Sequence, residues 1–354
     1  MPDVSAELPT AAQPTVPDSL STYTTLGLGG RAQRVLIATN ADELAQTPTN
    51  SFILAGGSNV VVGDGGYPGT VVLVRSTGVA VREAEGDTVT VTVEAGESWD
   101  GVVAQAVEAG WSGIECLSGI PGSAGATPIQ NVGAYGQEVA ETITAVRVLD
   151  RTTGERLVMT PEECGFAYRA SVFKHSDRWL VLSVDFRLLR SRESAPVRYA
   201  ELARALGVEI GDRVPLTDAR AAVLGLRAGK GMVLDPADPD TRSVGSFFTN
   251  PVLDASAYAA LRERATGWGE PPSWPSPEGV VKVSAAWLID KAGFTKGYGS
   301  GPVRISTKHT LALTHRGGGS TAELLGLARE IRDGVRDRFG VTLHPEPVLV
   351  NCAM

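Results

Sequence analysis

Three short stretches carry side chains whose types could do chemistry together. The first is Gly245–Pro251, which reads Gly-Ser-Phe-Phe-Thr-Asn-Pro. Adjacent phenylalanines in this setting can anchor a loop in a core while the hydroxyl of Ser246 is held toward a pocket. The alternative is a turn that merely carries two hydrophobic residues, since a heptapeptide is a weak motif by itself.

The other two stretches carry an arginine and a carboxylate. Arg169 lies between aromatic and small residues in Phe166–Lys174. Its guanidinium is either a surface salt-bridge partner or a fork for a carboxylate or phosphate. Glu346 lies between Pro345 and Pro347 at the start of a strand, so the backbone holds its side chain rigidly. Both residues are therefore candidates for a site that the rest of the chain must assemble.

A glycine-rich turn lies between two short apolar runs near the N-terminus, Gly56-Gly57-Ser58-Asn59. Glycine lets backbone N–H groups approach a phosphate because no Cβ stands in the way. The run Gly56–Gly66 does not match GxGxxG and is followed by a strand pattern, so it is no Rossmann fingerprint. Nor is Gly225–Lys230 a Walker loop, because the spacing is short and Gly231 replaces the serine or threonine.

The longest segment rich in Gly, Ser and Pro is Cys116–Pro128, continued by Asn131–Glu138. It cannot form a core of its own, so it is either a mobile linker or a loop wrapped around a ligand. Linkers are poor in hydrophobic residues. Here Leu117, Ile120 and Tyr135 are among those interspersed, which favours an ordered ligand-binding loop.

Periodicity predicts the elements that position these loops. Strands are predicted at Val35–Ala38, Phe52–Ala55, Val60–Val62, Thr70–Val74, Thr88–Val93, Ile143–Leu149 and Trp179–Phe186. Helices are predicted at Ala41–Gln46, from a Ser98 cap to Gly110, in a short piece after Pro196–Leu202, from Thr217 to Gly229, from Leu253 onward, and from a Ser320 capping box to Gly340. Apolar segments at Val281–Asp290 and Val303–Thr314 flank a Gly/Lys-rich loop.

Bulk properties exclude several classes of function. The 354 residues are 43% hydrophobic and 20% charged, which is ordinary for two or three globular domains. A net charge of −8 argues against nucleic acid and anionic membranes as partners. The three cysteines and four histidines lack metal-ligand spacing, so we expect no metal, no disulfide and a reducing compartment.

The termini and hydropathy predict a cytoplasmic protein. No apolar run approaches the about 20 residues needed to span a bilayer. The first residues are acidic and proline-rich where a signal peptide would be basic and then apolar. Residues 1–17 lack periodicity and are predicted to form a disordered tail. We expect no membrane insertion, and a monomer or weak oligomer.

Taken in order, these stretches resemble the UDP-N-acetylenolpyruvoylglucosamine reductase (MurB) family of peptidoglycan synthesis. The resemblance covers about Tyr23 to Val350. It rests on six motifs in family order: Gly56-Gly57-Ser58-Asn59, Gly119-Ile120-Pro121-Gly122-Ser123, Gln130–Gly136, Phe166-Ala167-Tyr168-Arg169, Gly245-Ser246-Phe247-Phe248 and Pro345-Glu346. Each alone is weak, but six in order across 300 residues are specific.

The resemblance implies an α+β protein with an FAD-binding fold of the vanillyl-alcohol-oxidase type. Two subdomains, about 18–77 and 78–228, would clasp the flavin. A substrate-binding domain would follow at 229–354, and its last strand can pack back on the FAD region. Many relatives with this fold attach FAD covalently through a histidine, but no histidine precedes His175, so we expect non-covalent FAD. The implied cofactor-binding residues are Gly56, Gly57, Ser58, Asn59, Gly119, Gly122, Ser123, Gly125, Ala126, Gly133 and Ala134.

The implied reaction reduces UDP-N-acetylglucosamine enolpyruvate to UDP-N-acetylmuramate with NADPH as co-substrate. Hydride would pass from NADPH to flavin N5 and then to C3 of the enol ether. Arg169 matches the family residue that forks onto the substrate carboxylate, Glu346 the acid paired with it, and Ser246 the proton donor to C2. Serine is a poor acid alone, so this role needs a hydrogen-bond network and a strongly basic intermediate.

The resemblance also implies how the UDP-sugar is held. Lys230 resembles the diphosphate-binding lysine, and Asn250 the amide near the same group. Tyr199 resembles the tyrosine that closes over bound substrate in one subclass of the family. Tyr135 is implied as a further substrate or flavin contact. Nothing is assigned to Pro302–His309, which departs from the pattern of that subclass.

Two other readings remain open at this stage. One is another FAD-dependent oxidoreductase of the same fold acting on a different substrate, which would share the glycine loops but has no reason to combine Ser246, Asn250 and Glu346. The other is a sugar-nucleotide-binding scaffold without chemistry. A flavin spectrum would reject the scaffold, and reoxidation only by the enolpyruvyl substrate would separate the two enzymes.

Overall fold

The computed structural model describes residues 17–83, 86–276 and 279–354. All of the predicted tail except Pro17 lies outside these residues. The helices are α1 Ala41–Ala45, α2 Trp99–Ala109, α3 Pro161–Cys164, α4 Ala200–Leu206, α5 Leu216–Gly229, α6 Ala255–Arg264, α7 Ala285–Lys291 and α8 Thr321–Phe339. The first strands are β1 Ala32–Ala38, β2 Phe52–Leu54, β3 Val60–Val62, β4 Tyr67–Val74, β5 Val79–Glu83, β6 Thr88–Glu94, β7 Trp111–Ser112, β8 Gly133–Ala134 and β9 Gln137–Glu138. The remaining strands are β10 Ile143–Asp150, β11 Arg156–Met159, β12 Trp179–Arg190, β13 Val252–Leu253, β14 Ser273–Pro275, β15 Val281–Val283, β16 Val303–Ile305, β17 Leu313–His315 and β18 Val348–Val350.

The first sheet is parallel, in the order β1-β4-β2. Its central strand is β4, whose last four residues are all buried. Val71 and Leu73 face a small core with Leu20 and Leu54. The alternate residues of β4 face the larger core of the next sheet. Burial on both faces explains why this strand is a continuous apolar run rather than an alternating one.

The second sheet is antiparallel, in the order β11-β10-β12-β6-β5, with β7 paired to the end of β12. Helix α2 covers it, and the rings of Trp99 and Phe186 lie 5.4 Å apart in the fully buried interior. The alternating burial of β6 matches the predicted half-buried strand. Ser98 caps α2 by accepting a hydrogen bond from Gly101 N–H, and Gly110 ends it in the left-handed conformation. Both predicted helix signals are confirmed.

The C-terminal part packs α6, α7 and α8 around the β16–β17 hairpin and the sheet β13-β15-β14. The capping box of Ser320 and Glu323 is formed, and Gly340 ends α8. Both carboxylate oxygens of Asp64 accept hydrogen bonds from the first N–H groups of α8. The strand β18 pairs in parallel with β3 of the N-terminal region. The N-terminal and C-terminal parts of the chain are therefore joined by the pairing of β3 with β18 and by the Asp64 side chain at the start of α8.

Two predicted boundaries in this part are shifted. The helix expected from Leu253 begins at Ala255, because Val252 and Leu253 pair with β15 and the side chain of Asp254 caps the helix. The apolar segment 281–290 contains two elements, since Ser284 ends β15 and caps α7. Hydrophobicity alone does not separate a short strand from the helix that follows it.

Truncating Phe339 tests how much α8 contributes to stability. The ring is 1% exposed and lies 5.5 Å from that of Trp287. We expect Phe339→Ala to lower the free energy of unfolding by about 3–5 kcal/mol, since a buried cavity remains. Val158→Ala, on a 61% exposed side chain, is the control and should stay within about 0.5 kcal/mol. Equal losses in urea denaturation would contradict the assignment of α8 to the core.

Candidate active site

Two glycine loops lie in contact at the base of a large cavity. A Cβ added to Gly56 would lie 2.5 Å from the Cα of Gly122, and one on Gly57 would meet the carbonyl of Tyr23 at 1.9 Å. Gly57 also has φ +64°, which favours glycine. The hydroxyl of Ser58 donates to the carbonyl of Pro121 at 2.9 Å. Only small residues permit this approach of one backbone to the other.

These loops present a run of unpaired backbone donors. Among the described residues, no protein acceptor takes a hydrogen bond from the four N–H groups of residues 56–59, nor from those of Gly122 and Ser123. Successive N–H groups directed to one side form an anion-binding concavity. The neighbouring segment is held in place, since Gly125 N–H donates to Ala95 and Ala124 N–H to Glu97. The loops therefore fit a diphosphate held by the backbone.

Buried side-chain donors point to the same conclusion. Within the described chain, six buried side-chain atoms lack a hydrogen-bond partner, and four of them belong to residues that line this cavity. These four atoms are Asn59 Nδ2, Trp99 Nε1, Ser123 Oγ and Arg227 Nε. A buried donor without a partner costs about 1–3 kcal/mol. Their concentration in residues that line one cavity indicates that a polar ligand completes them.

Arg169 is held at the centre of the site in a strained backbone conformation. Its φ is +53°, which is uncommon outside glycine. One terminal nitrogen donates to the carbonyl of Gly133 at 2.7 Å, and Nε lies 3.4 Å from Oε1 of Glu346. The amine of Lys174 donates to the carbonyl of Arg169 at 3.0 Å. These contacts fix the guanidinium between the loop at Gly133 and the segment at Glu346.

Glu346 is a carboxylate in a partly desolvated setting. Burial raises its pKa, while the positive charges of Arg169 and Lys174 act in the opposite direction. Burial also lowers the pKa of Lys174, which sequence reasoning did not single out. Its signal was its place five residues after Arg169, in the same stretch Phe166–Lys174. The charge of Arg169 acts on the pKa of both Glu346 and Lys174, and those two also act on each other.

The loop Gly245–Pro251 is anchored as expected. Phe247 and Phe248 are 0% and 1% exposed, with their rings edge to face at 5.1 Å. Phe247 N–H donates to the carbonyl of Leu311, and its own carbonyl accepts from Glu346 N–H at 2.9 Å. The phenylalanines thus hold Ser246 at the cavity wall, on a backbone bonded directly to that of Glu346.

Asn250 is oriented by its own oxygen. Its Oδ1 accepts a hydrogen bond from Ala285 N–H at the start of α7, at 2.9 Å. Asn250 also hydrogen-bonds to Tyr168 through its side chain and its backbone. Burial raises the pKa of Tyr168, while Arg169 and these hydrogen bonds act in the opposite direction. Both contacts fix the side-chain amide of Asn250, which lines the cavity.

Lys230 lies in a cluster of aromatic and charged side chains. Its amine is 2.5 Å from Oε2 of Glu201 and 5.6 Å from the ring centroid of Tyr135. The rings of Tyr135 and Tyr199 meet edge to face at 5.6 Å. Burial raises the pKa of Tyr135 to about 12, so this hydroxyl stays protonated at neutral pH. The three residues predicted to bind substrate here do lie together.

The cavity that these groups line has a volume of about 1430 Å³. Ligand pockets usually hold about 300–1,000 Å³, so there is room for a cofactor and part of a substrate. The predicted site residues that line it are Gly56, Gly57, Ser58, Asn59, Gly122, Ser123, Gly125, Ala126, Gly133, Ala134, Tyr135, Arg169, Tyr199, Lys230, Ser246, Asn250 and Glu346. Gly119 does not line the cavity.

Gly119 has a different place. Its φ is +71°, a Cβ there would lie 2.8 Å from Leu224, and its N–H donates to Asp100 at 2.6 Å. It forms the turn that leads to Gly122 and packs against α5. Its motif was recognised correctly, but a motif does not tell which glycine faces the ligand and which packs behind it.

Arg227 and His309 are among the lining residues that were missed from sequence. Arg227, three residues before Lys230 on α5, is 8% exposed. Burial lowers its pKa, and its NH2 donates to the carbonyl of Met232. His309 lies in the segment to which nothing was assigned. Burial lowers the pKa of His309 to about 4. The charges of Lys230 and Lys296 also lower this pKa and that of Glu201 raises it, so the imidazole is neutral at pH 7.

The loops, their free N–H groups and the orphaned donors fit FAD, and residues 37–160 match the family described as FAD binding domain. The chain is thus an α+β flavoprotein with the FAD-binding fold expected from sequence. Residues 236–350 match the C-terminal domain of UDP-N-acetylenolpyruvoylglucosamine reductase. No group of three His, Cys, Asp or Glu that could hold a metal occurs in the described ranges. Those ranges also contain no helix that is long and apolar enough to cross a membrane.

Whole-chain relatives bear the same family name. A UDP-N-acetylenolpyruvoylglucosamine reductase of Salinispora arenicola is 67% identical over 99% of this chain and 100% of its own length. That of Thermobifida fusca is 55% identical over 95% of this chain and 97% of its own. The crystal structure of MurB from Thermus caldophilus superimposes with a TM-score of 0.62 at 25% identity, covering 94% of this chain and 97% of that one. The chain belongs to the UDP-N-acetylenolpyruvoylglucosamine reductase (MurB) family.

A single methyl group tests the contact between the glycine loops. Gly56→Ala places a Cβ against the backbone of Gly122, and overpacking of this kind costs about 1–3 kcal/mol. We expect roughly tenfold weaker FAD binding, measured by flavin fluorescence after reconstitution. Gly65→Ala is the matched control, since its Cβ meets nothing within 4 Å. Equal flavin affinity in both variants would contradict the proposal that the contact between the two glycine loops shapes the FAD site.

His309 makes stability depend on pH. Its folded pKa of about 4 lies below the ordinary value of 6.5, so the unfolded chain binds the proton first as pH falls. The resulting stability is present above pH 6.5 and is lost toward pH 4, by on the order of 3 kcal/mol at most. Urea denaturation of His309→Asn at pH 7 and pH 5 should show a smaller loss between the two than the wild type. Equal pH dependence would show that His309 titrates normally.

Proposed function

We propose that this chain reduces UDP-N-acetylglucosamine enolpyruvate to UDP-N-acetylmuramate with FAD as cofactor and NADPH as reductant. The observation that carries the proposal is the convergence of Arg169, Ser246 and Glu346 on the cavity whose floor is the N–H run of residues 56–59. A UDP-sugar is accordingly the proposed small-molecule substrate. The chemistry that FAD supplies when bound is hydride transfer, from NADPH to flavin N5 and from there to C3 of the enolpyruvyl group.

The residues proposed to hold FAD are those of the glycine loops. Backbone N–H groups at residues 56–59, with Gly122 and Ser123, would bind the diphosphate, and Asn59 Nδ2 and Ser123 Oγ would complete their hydrogen bonds on the cofactor. Gly125, Ala126, Gly133 and Ala134 would form the wall beside the ring system, where side chains larger than methyl are excluded. We propose that FAD is held without a covalent bond.

Arg169 would bind the enolpyruvyl carboxylate, with Glu346 as the acid paired with Arg169. Negative charge builds there as hydride reaches C3, and a fixed guanidinium stabilises charge that develops close to it. The support is the ion pair at 3.4 Å, with Arg169 already held by the carbonyl of Gly133. Because the Arg169 guanidinium is already held in place, it does not have to reorient as charge develops during the reaction.

Ser246 would deliver the proton to C2. Hydride at C3 and a proton at C2 together add across the double bond, which gives the saturated lactyl ether. The hydroxyl is then restored by a proton from outside the site. Support comes from the rigid attachment of this loop to Leu311 and Glu346 by backbone hydrogen bonds. A positioned donor of this kind contributes about 10²–10⁴ in rate.

Lys230, Asn250, Tyr199 and Tyr135 would hold the UDP portion. A lysine with an oriented amide suits a diphosphate, and the two tyrosine rings offer apolar faces to the nucleotide. The exposed position of Tyr199, at 42%, supports its assignment as the residue that closes over substrate in the tyrosine-loop subclass. This cluster lies in the same cavity as Arg169 and Ser246.

The domain organisation that we propose keeps 18–228 for FAD, in subdomains of about 18–77 and 78–228, and 229–354 for substrate. A buried cluster made mainly of residues 244–343, which Leu26, Leu28 and Val61 join, supports the C-terminal domain. We also propose a cytoplasmic monomer or weak oligomer. The three free cysteines, two of them buried, are consistent with a reducing compartment.

Ser246→Ala separates the two half-reactions. We expect flavin reduction by NADPH to stay near the wild-type rate, because the serine acts only after hydride leaves the flavin. Reoxidation by the enolpyruvyl substrate should slow by about 10²–10⁴. Stopped-flow absorbance of the flavin measures both steps in one instrument.

The control is Thr249→Val, on the same loop. Its hydroxyl makes only a 3.4 Å contact with the carbonyl of His344, so both steps should stay within roughly twofold. If Ser246→Ala slowed reduction and reoxidation equally, Ser246 would be a loop residue and not a proton donor. A wild type without reoxidation by the substrate would overturn the proposed reaction.

A further inference from the structure

The amine proposed to bind the substrate diphosphate already has an anionic partner in the protein. Lys230 Nζ lies 2.5 Å from Oε2 of Glu201, and both side chains are about one-third exposed. Glu201 stands in the first turn of α4 and lines the same cavity. The pair is therefore accessible to a ligand from the cavity side.

The groups around this pair favour its exchange with another anion. Tyr135 covers the lysine amine with its ring, which leaves a cation–π contact intact whatever anion is bound. His309 is neutral at pH 7 and adds no competing charge, while Lys296 adds a positive one. A phosphate group that approaches Lys230 meets the Glu201 carboxylate in the position that it would itself occupy.

Two anions cannot share one amine at contact distance without strong repulsion. A phosphate with two negative oxygens offers Lys230 a stronger partner than one carboxylate does. Glu201, at the exposed start of a short helix, can return to water at little cost. Exchange of one anion for the other is thus the low-energy route for a diphosphate to bind.

We infer that Glu201 is a resident counter-ion of Lys230 that is displaced by the ligand diphosphate and thereby sets the affinity of the site for phosphate-bearing ligands. This inference rests on the proposed function, which assigns the diphosphate to Lys230. Glu201 holds the amine in place in the free enzyme and returns to it when product leaves. The carboxylate weakens binding of the nucleotide, and so speeds its release.

The exchange takes place beside Tyr199. This tyrosine precedes α4 by one residue, and no side chain caps the helix there. The first turn of α4 stays anchored by buried Leu202 and by the hydrogen bond from Ala203 N–H to the Tyr199 carbonyl, so the exchange needs only a side-chain movement of Glu201 beside Tyr199.

The test is calorimetric titration of UDP and of uridine into the FAD-loaded enzyme. Glu201→Gln keeps the shape of the side chain and removes its charge. We expect UDP to bind about three- to tenfold more tightly. This range combines the loss of a partly exposed ion pair with the removal of repulsion between Glu201 and the diphosphate. Uridine, which brings no phosphate to Lys230, should bind with unchanged affinity. Glu263→Gln on α6 changes the net charge equally, far from the cavity, and should leave both affinities unchanged.

Lys230→Ala makes the outcomes distinguishable. UDP should bind more weakly to it, and Glu201→Gln should have a smaller effect in that background, since competition for the amine is gone and only direct repulsion between Glu201 and the diphosphate remains. The counter-ion role is wrong if Glu201→Gln binds UDP no more tightly than the wild type while Lys230→Ala still binds it more weakly. That result would leave the proposed function standing. Equal affinity of the wild type and Lys230→Ala for UDP would instead overturn the assignment of Lys230 to the diphosphate.

Discussion

One extended segment, residues 344–350, holds the site together. On one side its backbone is bonded to the loop that carries Ser246, through Glu346 N–H to Phe247 and through Thr249 N–H to His344. On the other side Val348 N–H donates to the carbonyl of Asn59, and β18 continues the pairing along β3. Ser246, Glu346 and the glycine turn at residues 56–59 are thus fixed relative to one another by main-chain hydrogen bonds. Side-chain packing would fix such distances less closely.

This arrangement carries a local cost that the rest of the fold absorbs. Three of the five non-glycine residues found at positive φ in the described chain, Tyr135, Arg169 and His175, line the cavity. Each such conformation costs on the order of 1 kcal/mol and persists only where surrounding contacts determine it. For Arg169 those contacts are the Lys174 amine on its carbonyl and the Gly133 carbonyl under its guanidinium. The strain places charged groups where regular backbone would not direct them.

Local signals in the sequence predicted much of this structure. The caps at Ser98 and Ser320, the alternating strand β6 and the glycine turn at 56–59 each depend on residues close together in the chain, so each was visible without neighbours. Lys174, Arg227, Glu201 and His309 were missed because their significance comes from burial and from partners on other elements. The shift of α6 has the same origin, since pairing with β15 takes Val252 and Leu253 from the helix. The family resemblance supplied roles for residues, but Gly119 shows that a motif does not say which of its members faces the ligand.

The pairing of β3 with β18 also affects how the chain folds during its synthesis. Residues 60–62 emerge from the ribosome long before residues 348–350, by on the order of tens of seconds at ordinary rates of synthesis. During that interval the edge of β3 and the adjacent glycine turn lack their final partner. An unpaired strand edge is open to wrong pairing. The segment that fixes Ser246 and Glu346 relative to this turn therefore cannot be in place until synthesis is nearly finished.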